Sequence, residues 1–255
     1  PKRIADSHVI RTHCQNYYEH LNSLSLSKKE ARRIGFPLSA KLIERECVIA
    51  QGTLEGCTFA IENGIAFNIA GGTHHAFYDR GEAFCLLNDQ AIAANYLLDN
   101  NLAQRILIVD LDVHQGNGTA ALFQNNSSVF TFSVHCKANY PFQKELSDLD
   151  IPLEDNTKDI AYLSILEEAL FNLLKNLQPD FVFYLSGVDV LNEDKLGRLS
   201  LTLEGAKKRD EIVISACYER NIPVQCSMGG GYAPDVNVIV EAHANTYRVA
   251  EDIHD

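Results

Sequence analysis

Basic residues are scarce in this sequence, which contains 22 Lys and Arg against 34 Asp and Glu and has a formal net charge of -12. This charge repels nucleic-acid phosphates and mildly favours cationic partners. The sequence also lacks any uninterrupted apolar stretch of the roughly 18 residues that would predict a membrane span, and its first residues are polar rather than signal-like. We therefore expect no nucleic-acid partner and no transmembrane segment.

Paired cysteine motifs are absent as well. The seven cysteines are odd in number, widely scattered and form no CxxC pair, which argues against a disulfide framework or a thiolate zinc site. A reducing cytoplasm fits this pattern, or the nucleus if the source is eukaryotic. The sequence has no GxxxxGK[ST] or GxGxxG phosphate-binding pattern either.

Short runs rich in β-branched and aromatic residues recur along the chain, and helix-length segments separate most of them. The predicted strands are residues 65–69, 105–111, 129–134, 181–186 and 222–227. The predicted helices are residues 88–98, 160–177 and 203–219. This alternation predicts an α/β fold with a central, mainly parallel sheet covered by helices. The length fits one domain.

The sharpest local feature is the series Asp110, Asp112 and His114, which follows the hydrophobic run 105–109. Alternate side chains of an extended strand share a face, so these three groups should project together from its carboxyl end. Two carboxylates and an imidazole aimed at one point repel or desolvate one another unless a cation lies among them. Oxygen and nitrogen donors suit zinc or a related divalent ion. The alternative is a strand end whose polar residues face solvent or cap a helix.

A pair of histidines, His74 and His75, follows the small residues 71–73 after the first predicted strand. Glycines allow the backbone to turn tightly beside a ligand, and imidazoles titrate near neutral pH. The pair therefore suits acid–base chemistry. Taken alone, such a dipeptide is more often an ordinary surface pair or a satisfied core pair.

Two further candidates also follow predicted strands. Asp189 would complete a set of three ligands with an open coordination position, as catalytic zinc sites have, although Asp is also a common turn residue. Tyr232 follows three glycines, residues 229–231. Their lack of side chains would let its hydroxyl donate a hydrogen bond over a neighbouring site. The alternative is a glycine-rich turn with a packing tyrosine.

In their order along the chain, these four motifs resemble those of the histone deacetylase superfamily, most closely its class IV branch and related bacterial deacetylases. The resemblance covers most of the chain. The matching segments are residues 35–37, 71–76, 84–89, 110–119, 195–200 and 229–232, together with Asp189. The resemblance implies a three-layer α/β/α arginase-like fold and a single deacetylase-like catalytic domain over residues 1–255. It also implies that the first part of the family's domain is missing before Pro1.

The resemblance further implies specific roles for individual residues. Asp112, His114 and Asp189 would hold one zinc ion per chain. The walls of a buried acyl tunnel would include Phe84 and Tyr140, with Ala83 beside it. A structural potassium ion would lie near Asp110, Asp112, His114 and Ser133.

The implied activity is removal of an acetyl or longer acyl group from N-acyl-lysine in a peptide or protein, or from a related acylated amine such as an acetylpolyamine. Zinc would lower the pKa of its bound water and polarise the amide carbonyl. His75 would take the water proton and return one to the leaving amine, while Tyr232 would donate to the oxygen that gains negative charge.

The two histidines are not expected to be equivalent. The family pattern pairs His74 with Asp110, and pairs His75 with Asn117, where class I relatives have an aspartate. A carboxylate raises the pKa of an imidazole, whereas a neutral amide only orients it. The sequence therefore predicts that His74 is the more basic and that His75 stays neutral as the base.

Some positions depart from the family pattern. Ala83 stands where glycine is common, Thr73 replaces a third glycine, and the acidic rim residue that some relatives use has no identifiable counterpart. The orientation of the substrate therefore stays open. The sequence does not specify the acyl length or the oligomeric state.

Two rival functions can be compared with this interpretation. A binuclear manganese ureohydrolase would need a further aspartate at the position of Gly116, so a second metal would lack a bridging ligand. An inactive acyl-lysine binder or scaffold would keep the pocket without turnover. All the proposed ligands, both histidines and Tyr232 are present, so the sequence favours an enzyme.

Overall fold

The computed structural model describes residues 1–254 and contains one sheet of six strands in the order β1-β6-β5-β2-β3-β4. The strands are β1 (Ile65–Asn68), β2 (Ile106–Asp110), β3 (Val129–Cys136), β4 (Leu149–Leu153), β5 (Phe181–Leu185) and β6 (Val224–Ser227). The helices are α1 (Asp6–Thr12), α2 (Gln15–Asn22), α3 (Lys28–Ile34), α4 (Ala40–Asn63), α5 (Asp89–Asp99), α6 (Asn117–Phe123), α7 (Asp159–Leu177), α8 (Leu203–Tyr218) and α9 (Val236–His254). All neighbouring strands in the sheet are parallel.

The central strands bury both of their faces. On β2, Ile106 and Ile108 belong to a core that also contains side chains of α4 and α5. Leu107 and Val109 belong to a second core shared with α7 and α8. Successive side chains of a strand point to opposite faces, so helices cover the sheet on both sides. The predicted three-layer α/β/α fold with a mainly parallel sheet is confirmed.

The predicted strands and helices are all present, and their ends shift by one or two residues at most. The sequence analysis missed β4, in which Asp150 and Pro152 interrupt the apolar run. Proline has no N–H to donate to a neighbouring strand, so it is tolerated at a sheet edge, and β4 is an edge strand. Of the helices in residues 1–254, α1, α2, α3, α4, α6 and α9 were not predicted from the sequence. The longest of these, α4, begins where the Ser39 side chain accepts a hydrogen bond from the N–H of Leu42.

The order of the strands places the chemically interesting loops side by side. The loops that carry the candidate residues follow β1, β6, β5 and β2, which are consecutive in the sheet. Because these strands are parallel, the four loops leave the same edge. Within residues 1–254, no helix combines the length and the apolar character needed to cross a membrane.

Candidate active site

The loops after β2 and β5 bring three potential metal ligands together. Nδ1 of His114 lies 3.0 Å from Oδ1 of Asp112 and 3.2 Å from Oδ2 of Asp189. One ligand atom from each residue lies within 4.8 Å of the others, and both carboxylates are buried. Among residues 1–254, this is the one group of histidine, cysteine and acidic side chains found close enough to hold an ion.

The charges of this group depend on one another. Burial lowers the pKa of His114, but hydrogen bonds to Asp112 and Asp189 outweigh it and raise that pKa to about 10. Burial and the charge of Asp112 raise the pKa of Asp189 to about 7. Burial also acts to raise the pKa of Asp112, but the two nearby imidazoles of His74 and His114 lower it overall. A divalent cation would balance the same two carboxylates, and one nitrogen with two oxygens is a donor set that fits zinc or a related ion.

Backbone groups hold the carboxylates in place. Oδ2 of Asp112 accepts a hydrogen bond from the N–H of Gly230 at 2.9 Å, and Oδ1 of Asp189 accepts one from the N–H of Val113 at 3.0 Å. A Cβ atom at Gly230 would overlap the carboxylate of Asp189. Glycine at this position therefore lets the loop after β6 approach both carboxylates closely.

His74 and His75 lie side by side but have different partners. Nδ1 of His74 lies 2.7 Å from Oδ2 of Asp110, and Nδ1 of His75 lies 2.6 Å from Oδ1 of Asn117. All four side chains are buried. Since Asn117 occupies Nδ1 of His75, the Nε2 atom of that imidazole is the one available for chemistry.

The pKa values of the two imidazoles shift in opposite directions. Burial lowers the pKa of His74, but Asp110 and Asp112 outweigh it and raise that pKa to about 9. Burial and the nearby charge of His74 lower the pKa of His75 well below its ordinary value, and the hydrogen bond to Asn117 offsets this only in part. His75 is therefore neutral at physiological pH.

The loop after β6 positions Tyr232. The carboxylate of Asp194 accepts a hydrogen bond from the N–H of Tyr232 at 2.6 Å, and also binds the N–H groups of Leu196 and Gly197. Burial, followed by the charges of Asp112 and Asp189, raises the pKa of the Tyr232 hydroxyl. The hydroxyl therefore keeps its proton and is available as a hydrogen-bond donor.

These residues surround a cavity of about 450 Å³. The lining includes His74, His75, Ala83, Phe84, Asp112, His114, Tyr140, Asp189 and Tyr232. Asp110 and Asn117 lie behind the two histidines. Part of the wall faces solvent, because Phe84 is 42% exposed and Phe142, which also lines the cavity, is 91% exposed.

A tight turn places Phe84 at the cavity wall. Ala83 and Phe84 both have positive φ, 43° and 67°, a conformation that favours glycine. Their N–H groups donate to the carbonyl groups of Arg33 and Ile34 at the end of α3. The end of α3 therefore fixes the turn, and the positive φ of Ala83 explains why glycine suits this position.

The position of Ser133 follows from the strand register. Ser133 pairs with Asp110 across β2 and β3. Its hydroxyl is buried and lies 3.0 Å from Nδ1 of His135.

The sequence analysis missed several residues that support the site. The side-chain nitrogen of Asn139 lies 3.5 Å from Nε2 of His114 and donates to the carbonyl of Leu196. Asp89 accepts hydrogen bonds from the N–H groups of Gly72 and Thr73. Neither residue belongs to a spacing pattern of its own, although Asp89 lies within a segment that matches the family.

Arg209 was missed for the same reason. Its buried guanidinium pairs with Asp210 and donates to the carbonyl groups of Leu111 and Gly187. Leu111 is adjacent to Asp112, and Gly187 is two residues before Asp189. Arg209 therefore holds the backbone beside two of the proposed metal ligands in place. In the sequence it is simply a charged residue in a predicted helix.

Comparison with known proteins places this architecture in a family. The model of the histone deacetylase domain matches residues 1–247. An uncharacterized protein of Picosynechococcus is 47% identical over 90% of this chain, and histone deacetylase 2 of Arabidopsis thaliana is 31% identical over 94% of it. The chain spans 77% of the first protein's length but 65% of the second's, and it spans 52% of human histone deacetylase 1.

Solved structures show the same fold. The crystal structure of an HDAC homolog from Aquifex aeolicus has a TM-score of 0.81 at 23% identity, covering 98% of this chain and 72% of that one. A crystal structure of an HDAC homolog complexed with SAHA has a TM-score of 0.79 at 24% identity, covering 99% of this chain and 76% of that one. The family match spans nearly the whole sequence, and this chain belongs to the histone deacetylase domain family.

Proposed function

We propose that this chain is a zinc-dependent amidohydrolase that removes an acetyl or longer acyl group from N-acyl-lysine or a related acylated amine. Membership of the histone deacetylase family and the shared fold support a deacetylase hydrolase. One observation carries the finer proposal: Asp112, His114 and Asp189 converge within 4.8 Å of one another beside a cavity that His75 and Tyr232 also line.

The donor set supports zinc as the metal. Catalytic zinc sites use three protein ligands of oxygen and nitrogen type and keep a fourth position open. Zinc held by Asp112, His114 and Asp189 would supply Lewis acidity, lowering the pKa of water and polarising a carbonyl. One ion per chain fits the single group of ligands found in residues 1–254.

The roles of the histidines and Tyr232 follow from their surroundings. His75 is neutral and presents Nε2, so it can accept a proton from the attacking water and later protonate the leaving amine. The hydroxyl of Tyr232 keeps its proton and can donate to the oxygen that gains negative charge. His74, paired with Asp110, stays charged beside His75 and helps to keep that imidazole neutral.

The cavity supports an acylated amine as substrate. Phe84 and Tyr140 provide aromatic walls, with Ala83 beside them, and such walls suit an aliphatic chain. An HDAC homolog of the same fold binds SAHA, which supports a ligand-binding cavity in this architecture. The net charge of -12 favours a cationic substrate such as a lysine-bearing peptide or a polyamine.

Three finer assignments extend the proposal. By resemblance, Thr73 in place of a third glycine favours the class IV branch of the family, and Asn117 in place of an aspartate separates the chain from class I relatives. A structural potassium ion would lie where β2 and β3 place Asp110 beside Ser133, near Asp112 and His114. The seven free cysteines support a reducing compartment, the cytoplasm or a nucleus.

The structure argues against a binuclear ureohydrolase. The position that would need a bridging aspartate is Gly116, and its backbone lies against the carboxylate of Asp110 and the ring of His74. A Cβ atom there would overlap the carboxylate of Asp110 and would pack tightly against His74. The complete set of proposed catalytic groups also favours turnover over an inactive acyl-lysine binder.

Zinc-dependent turnover tests the proposal. Purified protein would be stripped of metal, reloaded with zinc or manganese, and assayed against lysine peptides that carry acyl groups of increasing length and against acetylpolyamines. We expect release of free amine with zinc and with one bound ion per chain. Binding of the acyl peptides without hydrolysis would favour the inactive binder, and two bound ions with manganese-dependent activity would favour the ureohydrolase.

A further inference from the structure

Glu82 lies directly behind the cavity wall and contacts two of the residues that shape the site. Its Oε1 atom accepts hydrogen bonds from the side-chain nitrogen of Asn117, at 3.2 Å, and from the hydroxyl of Tyr140. Its Oε2 atom lies 3.4 Å from Nε of Arg80. The side chain is only 15% exposed. A charged group is rarely so well covered unless it is paired, and here both carboxylate oxygens have polar partners.

The contact with Glu82 determines which way the amide of Asn117 faces. A carboxylate only accepts hydrogen bonds, so the amide nitrogen must point to Glu82 and the amide oxygen must point away from it. That oxygen accepts a hydrogen bond from the N–H of Gly118 at 3.0 Å and lies 2.6 Å from Nδ1 of His75. An acceptor at this position requires the hydrogen of the imidazole to be on Nδ1. Glu82 thereby selects the tautomer of His75 in which Nε2 is free to act as a base.

The same carboxylate holds one wall of the cavity. The hydroxyl of Tyr140 donates to Glu82, and the ring of Tyr140 stands edge-on to the ring of His75 with their centroids 5.1 Å apart. Fixing the hydroxyl fixes the ring. Glu82 therefore holds both the amide that contacts His75 and the tyrosine of the cavity wall.

The local backbone keeps Glu82 in place. The N–H of Glu82 donates to the carbonyl of Cys85, and the N–H of Cys85 donates to the carbonyl of Glu82. Arg80, which contacts the outer carboxylate oxygen, lies over the ring of Phe77 at 3.6 Å from its centroid. Cation–π contacts of this kind hold a guanidinium in a fixed position.

We propose that Glu82 is a positioning residue of the acyl-hydrolysis reaction: through the Asn117 amide it fixes the tautomer of His75, and through the Tyr140 hydroxyl it fixes the cavity wall. An aspartate at position 117 would place a negative charge directly against His75. In this chain the negative charge is on Glu82 instead, and Asn117 lies between it and His75. This inference rests on the proposed function for its catalytic consequence, but the orientation of the amide and the tautomer can be measured without any substrate.

The test compares four variants and one control variant with the wild type. Glu82→Gln removes the charge with little change in shape, and Tyr140→Phe removes only the contact to the wall. Asn117→Asp places a second carboxylate against Glu82. The double variant Glu82→Gln with Asn117→Asp moves the negative charge from position 82 to position 117, next to His75. It also restores a hydrogen-bond donor and acceptor between positions 82 and 117. Asp79→Asn is the matched control, since Asp79 contacts Arg80 at 3.1 Å and is not involved in the hydrogen bonds to Asn117 or Tyr140.

Three measurements would be made on each protein: the His75 tautomer from ¹⁵N chemical shifts, the melting temperature together with the bound zinc, and kcat and KM. We expect Glu82→Gln to convert the single Nδ1–H tautomer of His75 into a mixture and to lower kcat roughly 10- to 100-fold, as losses of outer hydrogen-bond partners typically do. Tyr140→Phe should leave the tautomer intact and act mainly on KM. Asn117→Asp should lower kcat, the double variant should recover it, and Asp79→Asn should match the wild type.

Two results would overturn the inference. One is a Glu82→Gln protein that has a lower melting temperature but the wild-type tautomer and kcat, because Glu82 would then stabilise the fold only. The other is a double variant that is no better than Asn117→Asp alone, provided that both fold. If the wild type shows no hydrolysis while Glu82→Gln still changes the tautomer, the proposed function fails and the positioning role stands.

Discussion

Nδ1 of His74 lies 2.7 Å from Oδ2 of Asp110, and both side chains are buried. The adjacent His75 faces the uncharged oxygen of Asn117 at 2.6 Å. Two neighbouring imidazoles in one loop thus have a charged partner and a neutral partner. This difference separates a cationic histidine from a neutral one, which is the arrangement that a base with an electrostatic helper needs.

The first prediction concerns the order of titration of these histidines. In metal-free protein, NMR titration of the imidazoles should give a pKa for His74 above 6.5, near the value of about 9 expected from its surroundings. His75 should titrate well below 6.5. Asp110→Asn should lower the pKa of His74, because the carboxylate that raises it is gone. If His75 proved the more basic of the two, the assigned roles would be wrong.

The second prediction concerns stability against pH in metal-free protein. The pKa of His74 is raised from 6.5 to about 9 in the folded state, so its ion pair with Asp110 stabilises the fold fully below pH 6.5 and is lost as the pH rises through about 9. Melting temperature should therefore fall across this range. His114 contributes in an overlapping window, since its pKa is raised to about 10. The wild type is therefore compared with Asp110→Asn, which lacks the ion pair of His74 but keeps His114. The melting temperature of this variant should fall less steeply between pH 6.5 and 9 than that of the wild type.

The third prediction concerns the metal. Asp189→Asn replaces one of the three converging carboxylate and imidazole ligands with an uncharged amide, which binds a divalent ion more weakly, so the protein should lose most of its bound zinc, measured by elemental analysis. Zinc at about 1,000 times its dissociation constant should stabilise the wild type by about 4 kcal/mol, seen as a higher melting temperature, and should stabilise the variant much less. Glu62→Gln, an exposed change at the end of α4, serves as the control. Equal zinc content in the two variants would contradict the ligand assignment.

The fourth prediction concerns Tyr232. Tyr232→Phe keeps the ring but removes the hydroxyl that would donate to the developing negative charge, so kcat should fall roughly 100- to 1,000-fold. KM and zinc content should change little, because the hydroxyl would act mainly in the transition state. Tyr218→Phe, at a half-exposed tyrosine of α8, should have wild-type kinetics. A change confined to KM would assign Tyr232 to ground-state binding.

The fifth prediction concerns the turn that carries Phe84. Ala83 has a φ of 43°, a conformation that costs an alanine about 1–2 kcal/mol relative to right-handed backbone and costs glycine little. Ala83→Gly should therefore raise the free energy of unfolding by up to about 1 kcal/mol, after the greater freedom of glycine in the unfolded chain is offset. Ala138→Gly is the control, because Ala138 lies in a cavity loop and does not have a positive φ. This variant should lower the free energy of unfolding by about 0.4–1 kcal/mol. Denaturant unfolding of both variants measures the difference.

Local patterns predicted most of the sheet. The strands β2 and β5 are continuous apolar runs buried on both faces, which is what a strand inside a parallel sheet requires. The edge strand β4 was missed because Asp150 and Pro152 break the run. An edge strand has a neighbour on one side only, so its sequence is less constrained and carries a weaker signal.

The sequence also predicted candidate site residues that the structure brings together around one cavity, because they lie in short motifs directly after strands. Asp112 and His114 are two positions apart, and the two histidines are adjacent. Such spacings are fixed by the backbone itself. The tertiary structure was needed for Glu82, Asn139 and Arg209, which no motif indicates.

What the sequence determined by itself is therefore local: the alternation of strands and helices and the ionisable residues at strand ends. The tertiary structure alone decided which of these groups meet. Glu82 lies 35 positions from Asn117, and Gly230 lies 118 positions from the carboxylate of Asp112 that it binds. Periodicity along a chain reports which face a side chain occupies, whereas contacts between distant segments depend on strand order and loop packing, and these exist only in the folded chain.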